Sequence, residues 1–356
     1  MRIAQVAPLY ESVPPKLYGG TERVVSTLTE ELVCQGHDVT LFASGDSVTG
    51  ARLWPGCEKA LRLSGAPASA GLAQHSLMVE RVAQQAYRFD IVHFHLDFLP
   101  FSVIRSEGFP AVTTLHGRLD IPDQLPLFHE FDDMHLVSIS DAQRFAMPWA
   151  NWIATVHHGL PAENYTPCKQ KSEYLAFLGR ISPEKRVDRA VEIAKRAGMR
   201  LHVAAKVDDA DRAYYETVRG CLEKPHVRFL KEIGDAEKCK FLSKATALLF
   251  PIDWPEPFGL VMIEALACGT PVIAFRGGSV EEIIEDGVTG FIVDSIEEAV
   301  QAVERIPSLD RQQCRAVFEE RFSARRMCDD YVRVYERVIE ETSAMKGPQL
   351  DRTAVA

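Results

Sequence analysis

The stretch 247–275, ALLFPIDWPEPFGLVMIEALACGTPVIAF, constrains the fold of this chain more than any other. Residues 247–251 are a short apolar run of the kind that fills a buried strand. A loop with Pro251, Pro255 and Pro257 follows. Residues 258–268 are good helix formers with apolar side chains on one face, and Gly269 stops the helix. Residues 271–275 (PVIAF) are a second buried strand. Strand, rigid loop, helix and strand make a parallel α/β unit, because a parallel return needs a crossover that covers the sheet.

Two carboxylates frame that helix. Glu256 lies just before its start and Glu264 eight residues later. At 1.5 Å rise per residue the two are at most ~12 Å apart, about the span from a sugar across a diphosphate to a ribose. Between them lie the free N–H groups of the helix start, around Phe258, Gly259 and Leu260, and Gly259 offers no side chain to block a ligand. A helix N-terminus binds phosphate. Two hydroxyl acceptors with an anion site between them suit a nucleotide sugar. The plain alternative is a proline-rich surface loop and a helix with two solvated glutamates.

The string Glu-Pro-Phe-Gly-Leu, then Glu264, then Ala-x-Ala-x-Gly-Thr-Pro-Val resembles the E-x7-E motif of retaining glycosyltransferases of family 4, which have the GT-B fold. The resemblance implies that Glu256 holds the donor hexose and Glu264 the ribose hydroxyls. It covers nearly the whole chain, is most specific over 176–275, and is weakest over 46–90.

Composition fits that reading. The apolar fraction of 46% and charged fraction of 25% are those of a soluble globular protein, and 356 residues suggest two domains. No run of eighteen apolar residues exists, so no transmembrane helix is expected. The start of the chain reads as a strand, not a signal peptide. Eight scattered cysteines without C-x-x-C pairs read as free thiols of a cytoplasmic protein. A net charge of −10, with neither half basic, argues against nucleic acid as a partner.

In chain order, residues 2–8 read as a strand, 21–35 as a helix with Val24, Val25, Leu28, Leu32 and Val33 on one face, and 38–43 as the next strand. Gly19 and Gly20 sit where backbone N–H groups can approach a phosphate at that helix start. A glycine turn alone explains them equally well. The family resemblance implies a place facing the donor phosphates or the acceptor. Residues 46–75 read as an irregular connection with one short helix, and 75–87 as a helix. Strands follow at 90–95, 111–115, 135–139 and 153–156. Their carboxyl ends carry His93, His95, His116, Ser140 and His158, where a parallel sheet lines its ligand crevice. For His93, His157 and His158 an ordinary satisfied or surface histidine is the simpler reading. Strand–His–Gly at His116 matches the family residue that contacts the transferred sugar. Where the family commonly has Asn before the linker glycine, this chain has His158, which puts any hydrogen bond inferred there in doubt.

Residues 161–172 read as the interdomain linker. A second α/β domain opens at 173–178, followed by Gly-Arg-Ile-Ser-Pro-Glu-Lys-Arg at 179–186. Ser182 and Pro183 suit the cap and first turn of a helix to about residue 197. Arg180 and Lys185 flank that turn and can clamp a diphosphate, matching the family's phosphate-binding pair. A solvated basic loop is the alternative. Further strands are expected at 200–205, 227–230 and 290–293, with helices at 209–221, from about 235 to 244, 296–305 and 310–320. The resemblance implies that backbone atoms near Gly234 pair with the base. A long amphipathic helix at 322–341 resembles the family's C-terminal helix, which crosses back to the first domain.

The expected domains are thus 1–160, an N-terminal Rossmann-like acceptor domain, and 161–322, the nucleotide-sugar donor domain. A crossing helix at 323–342 and a loose tail at 343–356 complete the chain. The expected function is retaining transfer of a hexose from a nucleoside-diphosphate sugar to an acceptor hydroxyl. A UDP-sugar is the first choice of donor and GDP-mannose the second. The acceptor is a saccharide, a lipid-linked glycan or a small molecule. Neither cofactor nor metal is called for by the resemblance. Another GT-B enzyme, such as a nucleotide-sugar epimerase or a phosphorylase, and a non-catalytic nucleotide-sugar binding protein remain as alternatives.

Overall fold

The computed structural model describes residues 1–16, 19–64, 68–168 and 173–345. Two parallel sheets carry the fold. The first has seven strands: β1 (Arg2–Val6), β2 (Asp38–Ser44), β3 (Arg52–Cys57), β4 (Ile91–Phe94), β5 (Ala111–Thr114), β6 (Leu136–Ser138) and β7 (Trp152–Thr155), in the order β3-β2-β1-β4-β5-β6-β7. The second has six: β8 (Tyr174–Arg180), β9 (Arg200–Lys206), β10 (Val227–Lys231), β11 (Ala247–Phe250), β12 (Val272–Phe275) and β13 (Gly290–Val293), in the order β10-β9-β8-β11-β12-β13. In both sheets the order reverses beside the first strand, and a crevice opens there at the carboxyl ends. The two doubly wound sheets are the GT-B architecture.

Most strands are short apolar runs buried along their length, as parallel strands covered on both faces must be. β3 departs from that rule. Its sequence, RLWPGC, is half-exposed at the sheet edge and contains Pro55 and Gly56, so the 46–75 region holds a strand where an irregular connection is expected. The helix expected over 75–87 begins earlier, spanning Ala68–Ala83, with a 3-10 turn at Ala86–Arg88.

The helix expected over 182–197 is divided. Pro183–Lys185 is a 3-10 turn, Arg186 has φ +51°, and the α-helix runs Val187–Arg196. Ser182 makes no capping bond there. A left-handed arginine costs on the order of 1 kcal/mol, and tertiary contacts hold it. Its guanidinium bonds Asp188 at 2.8 Å and Asp253 at 2.6 Å, which ties this turn to the proline loop.

The chain crosses between domains twice, side by side. The Leu160 N–H donates to the Phe322 carbonyl at 2.9 Å, and the Ala324 N–H to the Leu160 carbonyl at 2.9 Å. A Cβ at position 159 would lie 2.3 Å from the Ser323 carbonyl oxygen, so the crossing needs Gly159. After it the C-terminal helix, Ala324–Met345, lies on the first sheet. Met327, Cys328, Tyr331, Val334, Tyr335 and Val338, at three- and four-residue spacing, pack against Ile3, Val24, Leu28, Ile91, Val112 and Val137. Each such side chain contributes at most about 1.5–3 kcal/mol of burial. Residues 343–345 are helical, not a tail, and the Thr342 and Ser343 hydroxyls donate to the carbonyls of Val338 (2.8 Å) and Ile339 (2.7 Å) one turn back; 346–356 lie outside the described residues.

A second tie lies at the crossing. The Glu282 carboxylate, from the second domain, accepts from the N–H groups of Asp141 (2.7 Å) and Ala142 (2.8 Å) and meets the His157 ring at 3.0 Å. Burial pushes this carboxyl up, but the hydrogen bonds from His157, Ala142 and Asp141 outweigh it and hold it below its ordinary value.

Candidate active site

A cavity of about 370 Å³ lies between the two domains. The first domain lines it with Gly19, Gly20, Thr21, Arg23, His116 and His158, and the second with Lys185, Trp254, Glu256, Phe258, Glu264 and the helix start at Gly259–Val261. The walls meet where Gly20 faces Leu260; a Cβ on Gly20 would stand 3.6 Å from its Cδ1.

The second wall is built on the Leu260–Ala267 helix, which starts two residues later than Phe258. Gly259 precedes it with φ +79°, and a Cβ there would lie 2.8 Å from Met262 Cε. Glycine is therefore needed for the conformation, and a side chain there would also push Met262 aside. The preceding loop is clamped from behind. The Ser279 N–H donates to the Glu256 carbonyl at 2.9 Å and its hydroxyl to the Phe258 carbonyl at 2.8 Å. A Cβ on Gly278 would come within 2.1 Å of that Glu256 carbonyl oxygen.

Both glutamates are buried, and each holds a lysine. Glu256 bonds Lys185 and accepts from the Trp254 indole at 2.8 Å. Lys185 stands 5.1 Å above the Trp254 ring and 5.5 Å above Phe250. Glu264 meets Lys238 at 3.1 Å and accepts from the Tyr165 hydroxyl at 3.3 Å. Gln143 fixes the loop around His116 by donating to the carbonyls of Leu115 (2.9 Å) and Gly117 (2.8 Å). The His116 ring stacks on His158 at 5.3 Å and 17°, and its Nε2 lies 2.8 Å from His95 Nδ1. Burial pulls the His116 pKa down to about 3, and it holds His93, His95 and His158 well below the usual histidine value.

Residues 18–176 match Glycosyltransferase Family 4, and residues 164–321 match the family described as glycosyl transferases group 1. The chain belongs to glycosyltransferase family 4. Among curated relatives, the chain is 30% identical to D-inositol 3-phosphate glycosyltransferase of Mycolicibacterium smegmatis over 199 residues, 49% of this chain and 43% of the relative. The match thus spans under half the length of that relative. It is 26% identical to the phosphatidyl-myo-inositol mannosyltransferase of Mycobacterium tuberculosis over 330 residues, 82% of each chain. The structure of Anabaena HepE in complex with UDP and glucose superposes with a TM-score of 0.73 at 16% identity, covering 95% of this chain and 100% of that one.

Of the residues expected at the site, the cavity gathers Gly19, Gly20, His116, Lys185, Glu256, Phe258, Gly259, Leu260 and Glu264. Arg180 and Gly234 are not among its lining residues. The Arg180 guanidinium is turned to a cluster of acids, bonding Glu184 and lying 3.3 Å from Asp211 and 3.8 Å from Asp208. Gly234 caps the Asp235–Lys244 helix, and its neighbour Ile233 reaches the cavity instead. Ser140 is a helix cap, its hydroxyl accepting from the Gln143 N–H at 3.0 Å. His93 is the satisfied core histidine of the simpler reading, with both ring nitrogens hydrogen-bonded. Sequence reasoning passed over Trp254, Lys238, Tyr165 and Gly278. Trp254 and Gly278 carried a signal: an aromatic beside the E-x7-E string, and a double glycine. Lys238 and Tyr165 carried none, since each meets Glu264 only through the fold. No helix of the described residues is long and apolar enough to cross a membrane.

Proposed function

We propose that the chain transfers a hexose from a nucleoside-diphosphate sugar, with a UDP-sugar as the first choice of donor, to an acceptor hydroxyl with retention at the anomeric carbon. The observation that carries this reading is the pairing of Lys185 with Glu256 and Lys238 with Glu264 at the two ends of one helix start. A diphosphate at that start replaces the carboxylates as partner of Lys185 and receives the first-turn N–H groups. The freed Glu256 then takes hydroxyls of the hexose, and Glu264 those of the ribose. The likeness to a structure holding UDP and glucose supports the choice of base.

As the anomeric C–O bond breaks, charge grows on the leaving phosphate oxygen, and Lys185 and the helix N-terminus stabilise it. Among the described residues, the first-domain lining contains no carboxylate. In this reading the acceptor proton therefore passes to the departing phosphate oxygen, on the same face as the new bond. Cationic groups already placed for the diphosphate let the reaction run without a divalent metal. Arg180 joins them only if it leaves Glu184. The test is product analysis with UDP-glucose and GDP-mannose across saccharide and inositol acceptors, reading the anomeric configuration by NMR with chelator present. Inverted product, or activity that returns only with added magnesium or manganese, would sink the corresponding part of the reading.

A further inference from the structure

Six buried polar side chains run from the C-terminal helix to His116. Tyr331 and Tyr335 come from that helix, Gln5 from β1, His93 from β4, His95 from the residue after β4, and Thr114 from β5. The Gln5 amide nitrogen donates to the Tyr335 hydroxyl at 2.8 Å, and its carbonyl oxygen lies 2.9 Å from His95 Nε2. A carbonyl oxygen only accepts, so His95 Nε2 carries a proton. A fully buried imidazole with no carboxylate in contact is neutral and has one N–H. His95 Nδ1 is therefore a bare acceptor, and His116 Nε2, 2.8 Å away, must donate to it. That uses the only proton of a neutral His116. Its Nδ1 is then a lone pair, and it has no protein partner among the described residues although it is buried. The far end of the chain is consistent. Tyr335 accepts from Gln5 and donates to His93 Nδ1 at 2.8 Å, and His93 Nε2 donates to Thr114 Oγ1 at 2.7 Å.

We propose that His95 is a positioning residue for His116, and that the Tyr335–Gln5–His95 chain locks His116 in its Nε2–H tautomer, so that the Nδ1 lone pair is kept for a hydroxyl of the bound sugar. His116 in this state orients a hydroxyl by accepting from it, and the second domain supplies the stabilising charge. The lock spans the protein: its first link, Tyr335, stands 219 residues after His116 on the helix that returns from the second domain. The use made of the lone pair rests on the glycosyl-transfer reading. The tautomer does not.

The full chain labelled with [15N]histidine, free of ligand, is examined by long-range 1H–15N NMR, with His116→Gln identifying the His116 signals. The expected result is a single His116 species with Nε2 protonated and a pyridine-like Nδ1. In Tyr335→Phe the Gln5 amide loses its acceptor and is free to turn over, so the Nδ1–H form of His116 should appear and turnover of UDP-glucose should fall about tenfold, while UDP binding is unchanged. A protonated Nδ1 in the unaltered chain overturns the lock, and that spectrum stands even if the variant fails to fold. A folded Tyr335→Phe, or a folded His95→Asn, that keeps the single tautomer overturns it as well. A mixed tautomer with unaltered turnover overturns the positioning role. Absence of turnover with any sugar nucleotide would count against the transfer reading and leave the tautomer result standing.

Discussion

Behind the first-domain wall of the cleft, Gln5, His93, His95 and Thr114 are buried, and neutral hydrogen bonds join His93 to Thr114, Gln5 to His95, and the two pairs through Tyr335. On the second-domain wall, Lys185, Lys238, Glu256 and Glu264 are nearly as buried and are joined as ion pairs. The difference bears on what each wall can do when a ligand arrives. A neutral network satisfied within the protein has nothing to exchange, so it fixes the shape of its wall. A buried ion pair can trade one partner for another of the same sign, and a lysine released by a carboxylate is ready for a phosphate. The first wall is thus built to hold still and the second to change partners.

Acid should break the first wall before the second, with the largest effect of all. His93, His95, His116 and His158 have folded-state pKa values lowered by burial. The unfolded chain, near 6.5 for each, binds their protons first, so their contribution is fully present above that pH and is lost as pH falls below it. The slope is up to about 1.4 kcal/mol per pH unit for each histidine. Urea midpoints followed by circular dichroism from pH 7.5 to 5 should drop steeply; a flat profile would deny that these rings are held neutral.

Kinetics separate the cations of the second wall. Lys185→Ala should lower turnover by ~10²–10³-fold, the usual loss of a contact to developing charge. Arg180→Ala should cost less, because Glu184, Asp208 and Asp211 already hold that guanidinium. Equal losses would mean that Arg180 leaves its acids when the donor binds.

A smaller effect distinguishes the glutamates. Glu264→Gln should weaken UDP itself by about tenfold in calorimetry, whereas Glu256→Gln should bind UDP normally and lose turnover. The reverse pattern would turn the donor end for end along the helix.

The smallest change is expected at the domain tie. Asp141 and Ala142 donate to different oxygens of Glu282, so Glu282→Gln keeps an acceptor for only one of the two N–H groups and loses its charge; thermal unfolding should fall by only a few degrees, about 1–2 kcal/mol. No change would mean that the paired crossing at Leu160 and Phe322 holds the domains by itself.

Most strands and the helix after the proline loop were legible because their cues are local: apolar runs of four or five residues, a glycine where φ is positive, a proline where the chain must stiffen. β3 was not, because an edge strand need be neither apolar nor free of Pro55 and Gly56. The break at Arg186 left no trace, since contacts with Asp253 and Asp188, not an intrinsic preference, hold that backbone. Glu256 and Lys185 could each be singled out in the sequence. Their pairing could not, being 71 residues apart in the chain. Arg180 had the right residue type in the right place, and its direction was decided by Asp208 and Asp211 in the connection after β9. His95 was visible as a histidine at a strand end, but its bearing on His116 depends on β1 lying between β2 and β4 with Gln5 turned toward both imidazole and phenol.

The returning C-terminal helix also has a consequence for how the protein is made. The strands of the first sheet leave the ribosome first, yet the groove over Ile3, Val24, Ile91 and Val137 is covered only by side chains from Met327 onward. Until the helix Ala324–Met345 has been translated, the first domain exposes an oily face and its Gln5 and His93 lack their phenolic partners. The second domain needs no such delayed piece and can mature while the first waits. A chain truncated before residue 324 would therefore be expected to yield a sound second domain and a first domain bound by chaperones, and the order in which the cleft is completed runs opposite to the order in which its walls are synthesised.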